Sequence, residues 1–201
     1  ILNTITQEVN QPELPLAGVV ETSPVICFGD PTGSISIEMT GGTAPYIYNW
    51  SNSATTNIAT DLLAGQYEVT LTDANSCNYF GSTIISQPSA MGSSLISSTP
   101  AGCNGNNTGT ATIIGNGGTA PYNGIGTFTA SSGTHTYLVS DANGCSVTLT
   151  ITLTEPGQLV LTTSHGTILC NGGTTTVNIS ATGGVAPYSG TGTFTASAGT
   201  Y

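Results

Sequence analysis

The chain has 201 residues, no lysine or arginine, ten acidic residues and two histidines, for a formal net charge of −10. Without a basic side chain it cannot neutralise phosphates, be drawn to anionic membranes, form a Schiff base or make a lysine isopeptide crosslink. A 37% hydrophobic content with 27 glycines and 10 prolines, and a mean hydropathy of +0.14, describe a folded chain of strands and turns.

In chain order, residues 1–12 (ILNTITQEVNQP) are expected to be the last strand of a preceding repeat. Their closing Gln11-Pro12 returns as Gln87-Pro88 and Glu155-Pro156. The apolar stretch Leu14–Val20 is interrupted by Pro and Gly and is too short to cross a bilayer. Cys27 then precedes the alternating run Ser34–Met39 and the string GGTAPY at Gly41–Tyr46. A second alternating run, Tyr67–Thr72, leads into DANSC at Asp73–Cys77. The same order follows downstream: Cys103, GGTAPY at Gly117–Tyr122, DANGC at Asp141–Cys145, and the alternating run Val147–Leu153. A third round starts with Cys170 and GGVAPY at Gly183–Tyr188 and reaches Tyr201, which aligns with Tyr137. Four landmarks in one fixed order mark tandem domains. The boundaries expected are 13–88 and 89–156 for two complete repeats and 157–201 for a truncated one.

Alternation with period two signals strands with one buried face, and the Gly, Asn, Pro and Asp clusters supply short turns. A repeat of about 70 residues holds six or seven such strands packed as two sheets. DANGC between two alternating runs reads as a hairpin. Asp141 takes the first turn position and Gly144 the left-handed site of a type I turn with a G1 bulge.

Five cysteines are expected to staple each small repeat internally, as Cys27–Cys77 and Cys103–Cys145, with Cys170 unpaired in this stretch. Such bridges imply an oxidising compartment, outside the cell or in a periplasm. There is no C-x-x-C and no neighbouring histidine cluster to argue for a metal site.

Catalytic chemistry finds little support. His135 and His165 fall at non-equivalent positions, and no G-x-S-x-G accompanies them. Glu38 and Glu68 are the nearest pair of carboxylates, but both alternate outward and neither recurs in the next repeat. No catalytic residue and no cofactor is therefore expected. Calcium is the one metal weighed, with Asp30, Asp73 and Asp141 as oxygen donors beside Asn75 and Asn143. Turn capping by these side chains is the competing role. Trp50 and Tyr48 are the candidates for a glycan-stacking face, against a place in the core. Asn49, Asn106 and Asn178 each open an N-x-S/T sequon.

The series of cysteine, GG-x-APY, DAN-x-C and a closing QP or EP resembles the SprB-type repeat of very large Bacteroidetes surface adhesins. It is closest in Gly41–Trp50, Leu63–Val69 and Thr72–Cys77, whereas the later copies lack the Trp and the L-x-A-G-x-Y segment. The resemblance implies an Ig-like β-sandwich, export by type IX secretion, and service as a cell-surface filament or adhesin, in gliding cells carried by the motility machinery. The partners expected are neighbouring repeats of the same chain, an extracellular surface or polysaccharide, and the secretion or motility machinery. Beads joined by short Pro-containing junctions would each add roughly 25–40 Å to a stalk. Two other readings stand beside it. One is a carbohydrate-binding module of a secreted hydrolase; the other is a fibre subunit assembled by strand addition through residues 1–12.

Overall fold

The computed structural model describes residues 14–200, and these are all-β, with no helix among them. The expected strand at residues 1–12 and the position of Tyr201 lie outside the described residues. The chain divides into two compact units. The first takes residues up to Gly92 together with Gly117–Pro121 and Asp141–Cys145. The second takes Ser93–Asn116, Tyr122–Ser140 and the chain from Ser146 onward.

In the first unit, β1 (Ala17–Ser23), β2 (Gly33–Thr40) and β4 (Ile58–Leu62) form one antiparallel sheet in the order β1-β2-β4. β3 (Ile47–Trp50), β5 (Gly65–Thr72) and β6 (Asn78–Ile85) form the other, in the order β3-β5-β6. The alternating runs explain the layers. In β2, Ile35 and Ile37 point inward and Glu38 outward; in β5, Val69 and Leu71 are buried and Glu68 is exposed. One core joins both sheets: Ile35, Ile37, Ala59 and Leu62 from the first, Trp50, Val69, Leu71 and Ile85 from the second. Six strands in two layers agree with the arrangement read from the alternation.

The second unit holds β7 (Gly92–Thr99, from Ser93 onward), β8 (Gly109–Asn116) and β9 (Gly126–Ala130) in one sheet, with the hairpin β10 (Gly133–Ser140) and β11 (Ser146–Leu153) as a separate pair. Ala111 of β8 packs against Ile151 and Leu153 of β11, with Ala130, Tyr137 and Leu149 around them. β8 repeats the burial pattern of β2 position for position. The counterpart of β3 is reduced to a single bridge between Asn123 and Ser140. Its sequence, Asn123-Gly124-Ile125-Gly126, explains why: Gly124 sits at φ +76° with the Leu138 carbonyl where a Cβ would be, so the strand cannot continue.

A third sheet, β12-β13-β14, comprises β12 (Val160–His165), β13 (Thr174–Thr182) and β14 (Gly192–Ser197). β13 alternates as β2 and β8 do. However, its inward residues Val177, Ile179 and Ala181 are only half-buried, where Ile35, Ile37, Ala111 and Ile113 are buried.

Candidate functional site

Three loops recur along the chain, GG-x-APY and C-x-G three times each and DAN-x-C twice. The first is GG-x-APY. Gly41 and Gly42 adopt φ of +67° and +64°, and the same holds for Gly117 with Gly118 and Gly183 with Gly184. A side chain on Gly41 would collide with the Pro15 backbone, which is why two successive glycines stand here. The peptide bonds Ala44–Pro45, Ala120–Pro121 and Ala186–Pro187 are cis. Tyr46 then closes the loop by donating from its hydroxyl to the Gly41 carbonyl at 2.7 Å, and Tyr188 donates likewise to Gly183.

The second loop is the DAN-x-C turn, and its aspartate is the organising side chain. Asp73 Oδ1 accepts the backbone N–H of Asn75 at 2.9 Å and of Cys77 at 2.8 Å. Its Oδ2 accepts the N–H of Thr43, in the GG-x-APY loop, at 3.0 Å. Asp141 repeats this with Asn143, Cys145 and Thr119, each at 2.9 Å. Both aspartates are buried. Hydrogen bonds from the Cys77, Thr43 and Asn75 backbone hold Asp73 below the usual carboxylate range, the Cys77 contact contributing most, against an opposing push from burial. The expected turn forms: Gly144 lies at φ +83°, and its N–H reaches the Asp141 carbonyl at 3.1 Å. In the first copy, Ser76 occupies that left-handed position at φ +67°.

The third loop is C-x-G. Its main chain is pinned by the Thr that follows it, through Ile26 N–H to Thr32 Oγ1 at 2.8 Å and Gly102 N–H to Thr108 Oγ1 at 2.9 Å. It is also latched to the junction residue at the end of the repeat. Gly29 N–H donates to Gln87 Oε1 at 2.9 Å, and Gly105 N–H to Glu155 Oε2 at 2.7 Å. Sequence reading used Gln87 and Glu155 only as landmarks. Their recurrence as Gln or Glu before proline was the available signal, since both side chains supply a carbonyl-type acceptor at the same reach.

These contacts overturn the expected cysteine pairing. Cys27 is bonded to Cys145, 118 residues away, with a Cα–Cα distance of 5.7 Å. Cys77, Cys103 and Cys170 are free and exposed. Cys27–Cys77 fails because the two lie at opposite ends of β6. The Cys27 loop is latched to Gln87 beyond the end of β6, whereas Cys77 immediately precedes its first residue, Asn78. Eight strand residues separate them by roughly 25 Å, far beyond the ~7 Å that a disulfide spans. Cys103–Cys145 fails for the same reason across β11, with Cys103 beside the Glu155 latch and Cys145 before Ser146. The bridge that forms joins the C-x-G loop of the first repeat to the DAN-x-C turn of the second. Asn143 Nδ2 reinforces it, donating to the Ile26 carbonyl at 3.3 Å and to Thr119 Oγ1 at 3.1 Å.

The other candidates separate. Trp50 is buried in the core, where its indole N–H donates to the Thr56 carbonyl at 2.9 Å. Tyr48 is half-buried and packs on that core, so the pair forms no exposed stacking face. Both carboxylate oxygens of Asp73 and of Asp141 are engaged by backbone N–H groups. Asp30 lies apart in the exposed Cys27 loop, and the three are not gathered around a common point. Among the described residues, no three His, Cys, Asp or Glu side chains converge in a metal-holding arrangement. His135 is half-buried in β10, with Nε2 at 2.9 Å from the Ser131 carbonyl. His165 ends β12, exposed. Glu38 and Glu68 are exposed on strands of different sheets.

The fold and these loops define an all-β protein whose aspartates and amides serve turns and latches. Residues 19–55 match the family model of the SprB repeat, a stretch that holds Cys27, Gly41–Tyr46 and Trp50. No curated protein matches the chain. No helix among the described residues is long and apolar enough to cross a membrane.

Proposed function

We propose that this chain is a non-catalytic stretch of a long extracellular repeat adhesin, serving as stalk and adhesive surface in attachment or gliding. The observation that carries this reading is the SprB match at residues 19–55. The disulfide in the first unit supports it, since it belongs to an oxidising compartment. So does the use of Asp73 and Asp141 as turn anchors, which takes the best-placed carboxylates away from acid–base work. Export by the type IX route and a connection to the gliding machinery belong to the same proposal. Its partners are an extracellular surface or polysaccharide, met through strand faces and loops. The burial of Trp50 removes the feature on which a carbohydrate-binding module rested.

The test is surface labelling of intact source cells with antibody raised against residues 14–200, paired with deletion of the repeat array. Labelling without permeabilisation, and loss of attachment or of surface translocation in the deletion strain, are the expected results. Labelling confined to permeabilised cells would overturn the reading.

A further inference from the structure

We propose that the disulfides of this array run from repeat to repeat. The cysteine of each C-x-G loop is bonded by the DAN-x-C cysteine of the following repeat. Cys103 and Cys170 therefore take DAN-x-C cysteines, and Cys77 takes a C-x-G cysteine. None of the three pairs with another cysteine of residues 1–201.

The first support is the bond itself. Cys27–Cys145 links a C-x-G loop to the DAN-x-C turn of the following repeat. The second is that the free cysteines sit in the same cradles as the bonded ones. Cys77 N–H donates to Asp73 Oδ1 at 2.8 Å, as Cys145 N–H does to Asp141 Oδ1 at 2.9 Å. The Cys103 carbonyl accepts the Asn106 N–H at 3.2 Å, as the Cys27 carbonyl accepts that of Asp30 at 3.2 Å, and the Cys170 carbonyl accepts that of Gly173 at 3.0 Å. The Gln87 and Glu155 latches place Cys27 and Cys103 alike.

The third support lies wholly within the second unit and names what meets Cys103. A cleft of about 600 Å³ is lined by Cys103 and Asn104 and by Gly184, Val185 and Tyr188 of the third GG-x-APY loop. Val185 holds the position of Thr43 and Thr119, whose backbone N–H and carbonyl receive the DAN-x-C turn in the first two copies. Beside it, β13 presents Val177, Ile179 and Ala181 half-exposed. In β8, Ala111, the equivalent of Val177, packs against Ile151 and Leu153 of β11, in a hairpin tipped with DANGC. One object satisfies the cleft, the apolar face and the thiol together: a β-hairpin of the β10–β11 kind carrying DAN-x-C. The copy already in this chain is committed, since Ile151 and Leu153 pack on Ala111 and Cys145 is bonded to Cys27. The hairpin is therefore a further one, the third repeat's counterpart of β10–β11. Bond formation is the oxidation of two thiols to a disulfide, two protons and two electrons passing to the disulfide-forming oxidant of the export compartment. This inference rests on the cysteine geometry and does not depend on what the adhesin binds.

The experiment maps disulfides by mass spectrometry after blocking free thiols and digesting with pepsin. In the unmodified chain, Cys27–Cys145 as the sole bridge, with Cys77, Cys103 and Cys170 blocked, is expected. Cys27–Cys77 with Cys103–Cys145 would overturn the proposal. A second chain carries a copy of Leu138–Pro156 directly after Tyr201, which places a DANGC turn in register. There the added cysteine should bond Cys103, leaving only Cys77 and Cys170 to be blocked. Bonding to Cys170, or an added cysteine that stays free beside an intact Cys27–Cys145 bridge, would overturn the proposal. Should the extended chain fail to fold, Cys145→Ser in the unmodified chain still decides. Cys27 should then be blocked along with Cys77, and a new Cys27–Cys77 bridge would count against the proposal.

Discussion

Asp73 shows how one side chain can fix a hairpin to a neighbouring loop. Its two oxygens accept three backbone N–H groups, from Thr43, Asn75 and Cys77. The donors belong to exposed loop residues, whereas the carboxylate that gathers them is buried and needs these partners. Because these contacts favour the charged form, the folded-state pKa is lowered from its ordinary value near 3.8. The stabilisation is thus present above about pH 4 and is lost as pH falls through the depressed folded value. Asp73→Asn keeps the shape but turns one acceptor into a donor, so it sets an N–H against an N–H. The variant is expected to be less stable at neutral pH and to show a flatter acid limb. Urea midpoints followed by Trp50 fluorescence from about pH 7 down to about pH 2 would check this. An acid limb identical to that of the parent chain would show that Asp73 carries no proton-linked stability.

Elements differ in what their alternation achieves. β2, β8 and β13 have the same period, yet only the first two bury their inward residues, since each has strands packed across from it. Leu71 on β5 is fully buried against both sheets, and Leu71→Ala is expected to cost about 2–5 kcal/mol. Val177→Ala removes side chain that is half in water already and should cost about 1 kcal/mol or less. Urea unfolding of the two variants measures the contrast, and equal losses would refute it. The strands and turns were legible in the sequence because period two and the D-A-N-G-C string act locally. The loss of a β3-like strand was legible too, from Asn-Gly-Ile-Gly after Tyr122. The disulfide was not. Spacing carries no connectivity, and only the Gln87 and Glu155 latches show that Cys27 and Cys103 lie at the far end of their strands. The place of Trp50 was equally open in the sequence, because an aromatic run next to a turn suits a core strand and a binding face alike.

At the scale of the whole molecule, ten acidic residues with no lysine or arginine mean that no ion pair between side chains of those types exists to be weakened by salt. What remains is repulsion among carboxylates spread over the surface, such as Glu21, Glu38, Asp61 and Glu68, all exposed. Salt screens such repulsion beyond about 8 Å at physiological ionic strength. Unfolding spaces the charges further apart, so screening favours the folded chain. Stability should therefore rise with sodium chloride at pH 7, by about 1 kcal/mol or less between roughly 10 mM and 500 mM, given how little exposed charge pairs contribute. The effect should fade as pH approaches the isoelectric point of about 4.1, where the net charge vanishes. Urea midpoints at the two salt concentrations and the two pH values provide the comparison. A midpoint that falls with salt at pH 7 would mean that attractive pairs, which this composition can build only through its two histidines and its amino terminus, outweigh the repulsion of the ten carboxylates.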